Sequence, residues 1–238
     1  MKHIGIVACS AEGAALCYRT ICAAGAEQLG GHAHPEVSMH TPSFEAYVEC
    51  LNAGEWSGVA DLMIASAAKL ADAGADFLIC PDNTIHQALP DVLARTSLPW
   101  LHIADVVADE ACRRRFRRVG IMGTRWLVDG PVYSDAFDAR GLAYLRPEPA
   151  DRDEVNRIIF DELVRGEFKP ASIAYFRAVT ERLKVRGCDS VVLGCTELPL
   201  VLDDANAAVA VLDSTRLLAR AAVRRAIEPA IDRVNSGR

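Results

Sequence analysis

Short apolar runs of strand length recur along the chain: HIGIVA (3–8), DFLICP (76–81), PWLHIAD (99–105), RVGIMG (118–123), SVVLGC (190–195) and VAVLDS (209–214). Nearly every position in them is hydrophobic. That pattern suits parallel strands covered on both faces, not strands with one wet side. Helix-favouring stretches lie between them. Val59 to Ala73, VADLMIASAAKLADA, is rich in alanine and is followed by Gly74, a residue suited to ending a helix. Strands alternating with helices predict an α/β fold built on parallel sheets.

The pattern also repeats itself. Gly74-x-Asp76 precedes one apolar run and Gly187-x-Asp189 precedes another, an offset of 113 residues. The same offset carries Asp82 onto Cys195 and Asn83 onto Thr196, while IGIVA from Ile4 matches VGIMG from Val119 at an offset of 115. LHIAD ending at Asp105 matches VAVLD ending at Asp213 at 108. A fixed order at nearly constant spacing predicts an internal duplication. The expected architecture is two domains related by a pseudo-twofold axis, each a mostly parallel sheet flanked by helices. Residues 1–105 with 213–238 would form the first and 106–212 the second. Ligands of open α/β sheets bind beyond the carboxyl ends of the strands. Two facing halves would therefore direct Asp82 and Cys195 into one cleft from opposite sides.

Composition narrows the function. At 238 residues, about half apolar, the chain is long enough for a substantial core. Its net charge of −6 argues against nucleic acid, which needs a basic face. The basic stretch RRRFRRVG (113–120) reads as a solvated helix end. No run approaches the ~18 apolar residues of a membrane span, and no signal peptide precedes the first strand. The eight cysteines form no CxxC pair, so no metal site is expected, and free thiols point to a cytoplasmic protein.

The residues at the run ends carry a resemblance. DNTIH (82–86), GCTELPL (194–200), IGIVACSAE (4–12), IMGTRW (121–126), LPWLHIAD (98–105) and EVNRIIFDELVRGEF (154–168) together are similar to the aspartate/glutamate racemase superfamily over nearly the whole chain. The resemblance implies a pseudo-symmetric two-domain enzyme without pyridoxal phosphate or other cofactor, acting on a small-molecule carboxylate. It also allows a homodimer. Two cysteines on opposite faces of the α-carbon are the usual proton carriers. It further implies substrate contacts from Asn83, Thr84 and Thr196, with His86 and Glu197 in support; Ser10 and Thr124 lie on the equivalent rims and could add hydroxyls, and a capping role is open to each of these residues. Independently of kinship, none of Lys2, Lys69, Lys169 and Lys184 directly follows a core strand as an imine-forming lysine would.

The first cysteine of the usual pair is replaced by Asp82, and Cys80 nearby reads as buried packing. Three readings of Asp82 stand side by side: a proton carrier opposite Cys195, a substrate-recognition group, or the cap of the following helix. Cys195 is expected to lie near backbone N–H groups that lower its pKa. In HTPSFEAY (40–47), where aspartate-type relatives often place an arginine for the distal carboxylate, there is none; Arg125 and Arg165 are the remaining candidates and read equally as solvated helix residues. The expected activity is racemisation or epimerisation of an acidic or polar amino acid, with Cys195 and Asp82 exchanging protons at Cα. A decarboxylase or cis–trans isomerase of the same superfamily, and a binding protein without turnover, are the alternatives.

Overall fold

The structure, a computed structural model, describes residues 1–228. The last ten residues of the first expected domain, 229–238, lie outside that range.

Two four-stranded sheets form the frame, each wholly parallel. The first contains β1 (Ile4–Val7), β2 (Val37–His40), β3 (Phe77–Ile79) and β4 (Trp100–Leu101), ordered β2-β1-β3-β4. The second contains β5 (Arg118–Met122), β6 (Ala143–Leu145), β7 (Ser190–Leu193) and β8 (Ala210–Asp213), ordered β6-β5-β7-β8. The two orders are identical. Ile4 pairs with Phe77 and Val119 with Ser190, so the offsets of 115 and 113 in the sequence are one shared strand register.

The helices of the first half are α1 (Ala11–Leu29), α2 (Phe44–Ala53), α3 (Trp56–Asp72) and α4 (Leu89–Arg95). After α5 (Ile103–Arg113) come α6 (Arg125–Asp129), α7 (Val132–Asp138), α8 (Pro149–Asp161), α9 (Pro170–Val185) and α10 (Ser214–Ile227). Two apolar cores sandwich each sheet, filling both strand faces as the near-continuous apolar runs require. α10 joins the first half's core through Leu218, Ala219, Ala222 and Val223, packing against α1 and α5. α5 serves both halves: Ile103 enters a core of the first sheet, while Ala104, Val107, Ala108 and Ala111 enter a core of the second. The expected boundary after residue 105 therefore falls inside a helix.

The repeated Gly-x-Asp has a mechanical explanation. Gly74 (φ 88°) and Gly187 (φ 90°) turn the chain left-handed after α3 and α9, a conformation that glycine adopts without a Cβ penalty. The aspartate two residues on then ties the new strand to its neighbour. Asp76 Oδ2 accepts from the His3 N–H at 2.6 Å, and Asp189 Oδ2 accepts from the Arg117 N–H at 2.7 Å.

Three local expectations change. PWLHIAD is a strand only at Trp100–Leu101; the His102 ring accepts from the Ala104 N–H at 3.1 Å and starts α5. VAVLDS likewise ends its strand at Asp213, whose side chain accepts from the Arg216 N–H and starts α10. The edge strands β2 and β6 were not foreseen, being short and only partly buried. Of the described residues, no helix is long and apolar enough to cross a membrane.

Candidate active site

Equivalent strand ends of the two halves converge on a cavity of about 260 Å³. Cys9, Ser10 and Glu12 reach it after β1, Asp82 to Thr84 after β3, Thr124 and Trp126 after β5, and Gly194 to Glu197 after β7. The rest of the lining is apolar: Phe44, Val48 and Leu51 from α2, Ile159 and Phe160 from α8, and Val164 in the helical turn that follows.

Asp82 begins the turn of helix at Thr84–Ala88 and accepts the Ile85 N–H at Oδ1 (3.2 Å), so the capping geometry foreseen for it exists. Its side chain nevertheless lines the cavity. Burial pushes its pKa above the ordinary carboxylate value. The Ile85 N–H opposes that shift and the nearby Glu197 charge adds to it. A cap and a cavity-facing acid are thus one side chain. Cys80 is fully buried in the core behind it.

Cys195 behaves otherwise than expected. Only a short helical turn, Leu198–Leu200, follows it, and its Sγ instead donates to Glu197 Oε2 at 2.8 Å. Burial and the adjacent Glu197 carboxylate push the thiol well above its usual pKa, so the sulfur rests protonated. The same Glu197 oxygen accepts from Thr196 Oγ1 at 2.8 Å.

Four hydroxyls bridge the halves in reciprocal pairs. Ser10, the cap of α1, meets Thr196 at 3.4 Å, and Thr124, the cap of α6, meets Thr84 at 3.2 Å. Each pair joins a helix start after one central strand to the loop after the other half's neighbouring strand.

Two expected residues also brace the protein itself. Both ends of the Asn83 amide are engaged in protein contacts: Nδ2 donates to Ser214 Oγ (3.0 Å) and Oδ1 accepts from the Tyr133 hydroxyl (2.6 Å). Asn83 is therefore a buried strut between the halves, although it borders the cavity. His86 does not line the cavity. Its Nε2 accepts the Ile103 N–H at 3.3 Å, which leaves the proton on Nδ1 to be donated to the Asp82 carbonyl at 2.7 Å. Burial and the neighbouring His102 push its pKa down to about 3, so it is a neutral brace for the Asp82 backbone.

The most consequential residue that sequence reasoning overlooked is Cys9. It is 1% exposed just after β1, lines the cavity, and lies close enough to Asp82 for each to shift the other's pKa. Burial and the Asp82 charge raise its pKa strongly. The match of IGIVA to VGIMG in the second half was the available signal, because it puts position 9 just beyond a central strand. Glu12, Phe44 and Trp126 were also missed as cavity residues. Arg125 and Arg165, the candidates for a distal carboxylate, are both exposed and neither lines the cavity. No three His, Cys, Asp or Glu side chains among the described residues are grouped as a metal site needs.

Comparison with known proteins agrees with this construction. A Yersinia pestis structure described as a candidate Asp/Glu racemase superposes with a TM-score of 0.89 at 31% identity, covering 96% of this chain and all (100%) of its own. PH1733 of Pyrococcus horikoshii OT3, described as an aspartate racemase homologue, superposes with a TM-score of 0.83 at 29% identity, covering 95% and 99%. The broad specificity amino-acid racemase RacX of Bacillus subtilis (strain 168) is 24% identical over 164 residues, 68% of this chain and 69% of that protein. The family model described as Asp/Glu/hydantoin racemase matches residues 6–222. With its duplicated sheets and shared cavity, the chain belongs to the Asp/Glu/hydantoin racemase family.

Proposed function

We propose that the protein is a cofactor-independent amino-acid racemase or epimerase that moves protons at Cα between Asp82 and Cys195. The observation that carries this reading is the lining of one cavity by a carboxyl from one half and a thiol from the other. Inverting a stereocentre through a planar carbanion needs a base on one face and an acid on the opposite face, and a duplicated fold supplies both. None of the four lysines lines the cavity, so it offers no amine for an imine.

The protonation states suggest how a turnover begins. Asp82, raised above an ordinary carboxylate, is the stronger base for it and takes the Cα proton. The electron pair left on Cα spreads into the α-carboxylate. The Cys195 thiol then gives its proton to the other face, leaving Cys195 as thiolate and Asp82 as acid. Proton return from solvent, or the reverse reaction, resets the pair. The hydroxyls of Ser10, Thr84, Thr124 and Thr196 are suited to donate to the carboxylate as it gains charge. Glu197 orients the sulfur, and the neutral Cys9 thiol is part of the buried wall beside Asp82. The α-ammonium finds complementary charge among Glu12, Asp82 and Glu197.

That concentration of acid also weighs against the malonate-type decarboxylase reading, whose substrate would bring two carboxylates to three acidic side chains. The deciding test is solvent deuterium incorporation at Cα, followed by NMR over a panel of D- and L-amino acids. Exchange that disappears in Cys195→Ala and falls about 10²-fold or more in Asp82→Asn supports the proposal. Full exchange in both directions by Asp82→Asn would remove this residue from proton transfer.

A further inference from the structure

We infer that the substrate's side chain is apolar: the cavity seats a branched aliphatic or aromatic group and disfavours a second carboxylate. This rests on the Cα proton-transfer reading and adds a substrate class to it.

Two independent observations support it. The first is the composition of the wall away from the hydroxyls. Phe44, Val48 and Leu51 follow one another at helical spacing and present one face of α2 to the cavity, with Trp126, Phe160 and Val164 contributed by the other half. Trp126 and Phe160 pack edge to face, their centroids 5.6 Å apart, so this wall is a joined aromatic surface. Phe44 and Val164 remain 37% and 46% exposed, apolar surface that a bound apolar side chain would cover.

The second observation is charge. The ionisable carboxyls on the lining are Glu12, Asp82 and Glu197, and among the described residues no lysine or arginine lines the cavity. A distal carboxylate would lose water, gain no cation and face like charges. Arg125 precedes the lining residue Trp126 in the chain, yet it is exposed, is not part of the lining, and has its guanidinium over the Trp126 ring at 5.2 Å. The α-carboxylate and α-ammonium have partners at the polar end; a second acid has none.

The test measures exchange and binding separately. Cα deuterium exchange is followed in the wild type with leucine, phenylalanine, methionine, aspartate and glutamate, both enantiomers of each. Affinity for the same amino acids is measured calorimetrically with Cys195→Ser. The apolar set is expected to exchange with kcat/KM about 100-fold above the acidic set and to bind more tightly, and Arg125→Ala is expected to preserve that ranking. Phe44→Arg, which adds a cation at the partly exposed rim, should shift the preference toward glutamate. Faster exchange of aspartate or glutamate by the wild type overturns the apolar assignment and leaves the proton-transfer reading intact. Tight binding of leucine or phenylalanine without exchange of any amino acid overturns proton transfer and upholds the pocket's preference. Absence of binding by either class overturns the assignment of this cavity to amino acids.

Discussion

Cys195 and Asp82 occupy echoing positions, yet their surroundings drive them to different resting states. The sulfur donates to Glu197 and is held as a thiol; the carboxyl accepts from the Ile85 N–H, with Cys9 nearby in the same wall. A thiol with a raised pKa is a poor nucleophile because so little of it is ionised. At neutral pH iodoacetamide should therefore modify the exposed Cys112 first, with Cys195 slower by on the order of tenfold or more, as peptide mass mapping over time would reveal. Rapid, selective labelling of Cys195 would contradict the hydrogen-bonded thiol. His86 makes a different prediction. Its pKa is near 6.5 when unfolded and about 3 in place, so the unfolded chain binds the extra proton between those values. The contribution of neutral His86 is complete above pH 6.5 and is lost as pH falls toward 3. Urea unfolding at several pH values should show a wild-type slope steeper than that of His86→Gln by up to about 1.4 kcal/mol per pH unit in this window. The positions of Asp82 and Cys195 were legible because each ends an apolar run. The Cys9 contact was not, since it arises between neighbouring strands β1 and β3 whose register the sequence does not state. The bracing contacts of Asn83 were not legible either, because its partners, Tyr133 and Ser214, lie 50 and 131 residues away.

At the scale of elements, the α1 start shows how closely the halves approach. Ser10 caps this helix, and Gly13 in its first turn faces Thr196. A Cβ on Gly13 would lie 2.4 Å from Thr196 Cγ2 and 3.0 Å from Ser10 Oγ. Thr196 has little freedom to yield, because its hydroxyl is already bonded to Glu197 and meets Ser10. Alanine favours a helix over glycine by about 1 kcal/mol, whereas overpacking costs about 1–3 kcal/mol. Gly13→Ala should accordingly alter the melting temperature little, or lower it by a few degrees, while Cα exchange falls by about tenfold or more as Thr196 is displaced. An unchanged exchange rate would show that the Thr196 position is not needed. The central strands and α3 were readable from apolar runs and the Gly-x-Asp stops. β2 and β6 were not, because VSMH and AYL are short edges with polar or exposed positions and carry no continuous apolar signal. The run at 99–105 misled for the opposite reason: its apolar residues continue from strand into helix, and only the His102 cap marks the change.

The whole molecule is a pair of similar frames whose difference lies in a few side chains at the strand ends. Duplication was visible in the spacing, but the sharing of α5 was not, since a helix with two apolar faces reads the same whether it serves one core or two. That sharing determines how the protein comes apart. α5 places buried residues in a core on each sheet, and the buried Tyr133–Asn83–Ser214 chain of hydrogen bonds also crosses between them. Heating should therefore melt both halves together, giving one calorimetric peak whose van't Hoff and calorimetric enthalpies agree. Two resolved peaks would mean that the halves keep separate stabilities. A helix owned jointly by two cores leaves neither half a surface along which it can be cut away, so the gene segment for one alone should yield an aggregating product instead of a smaller folded protein.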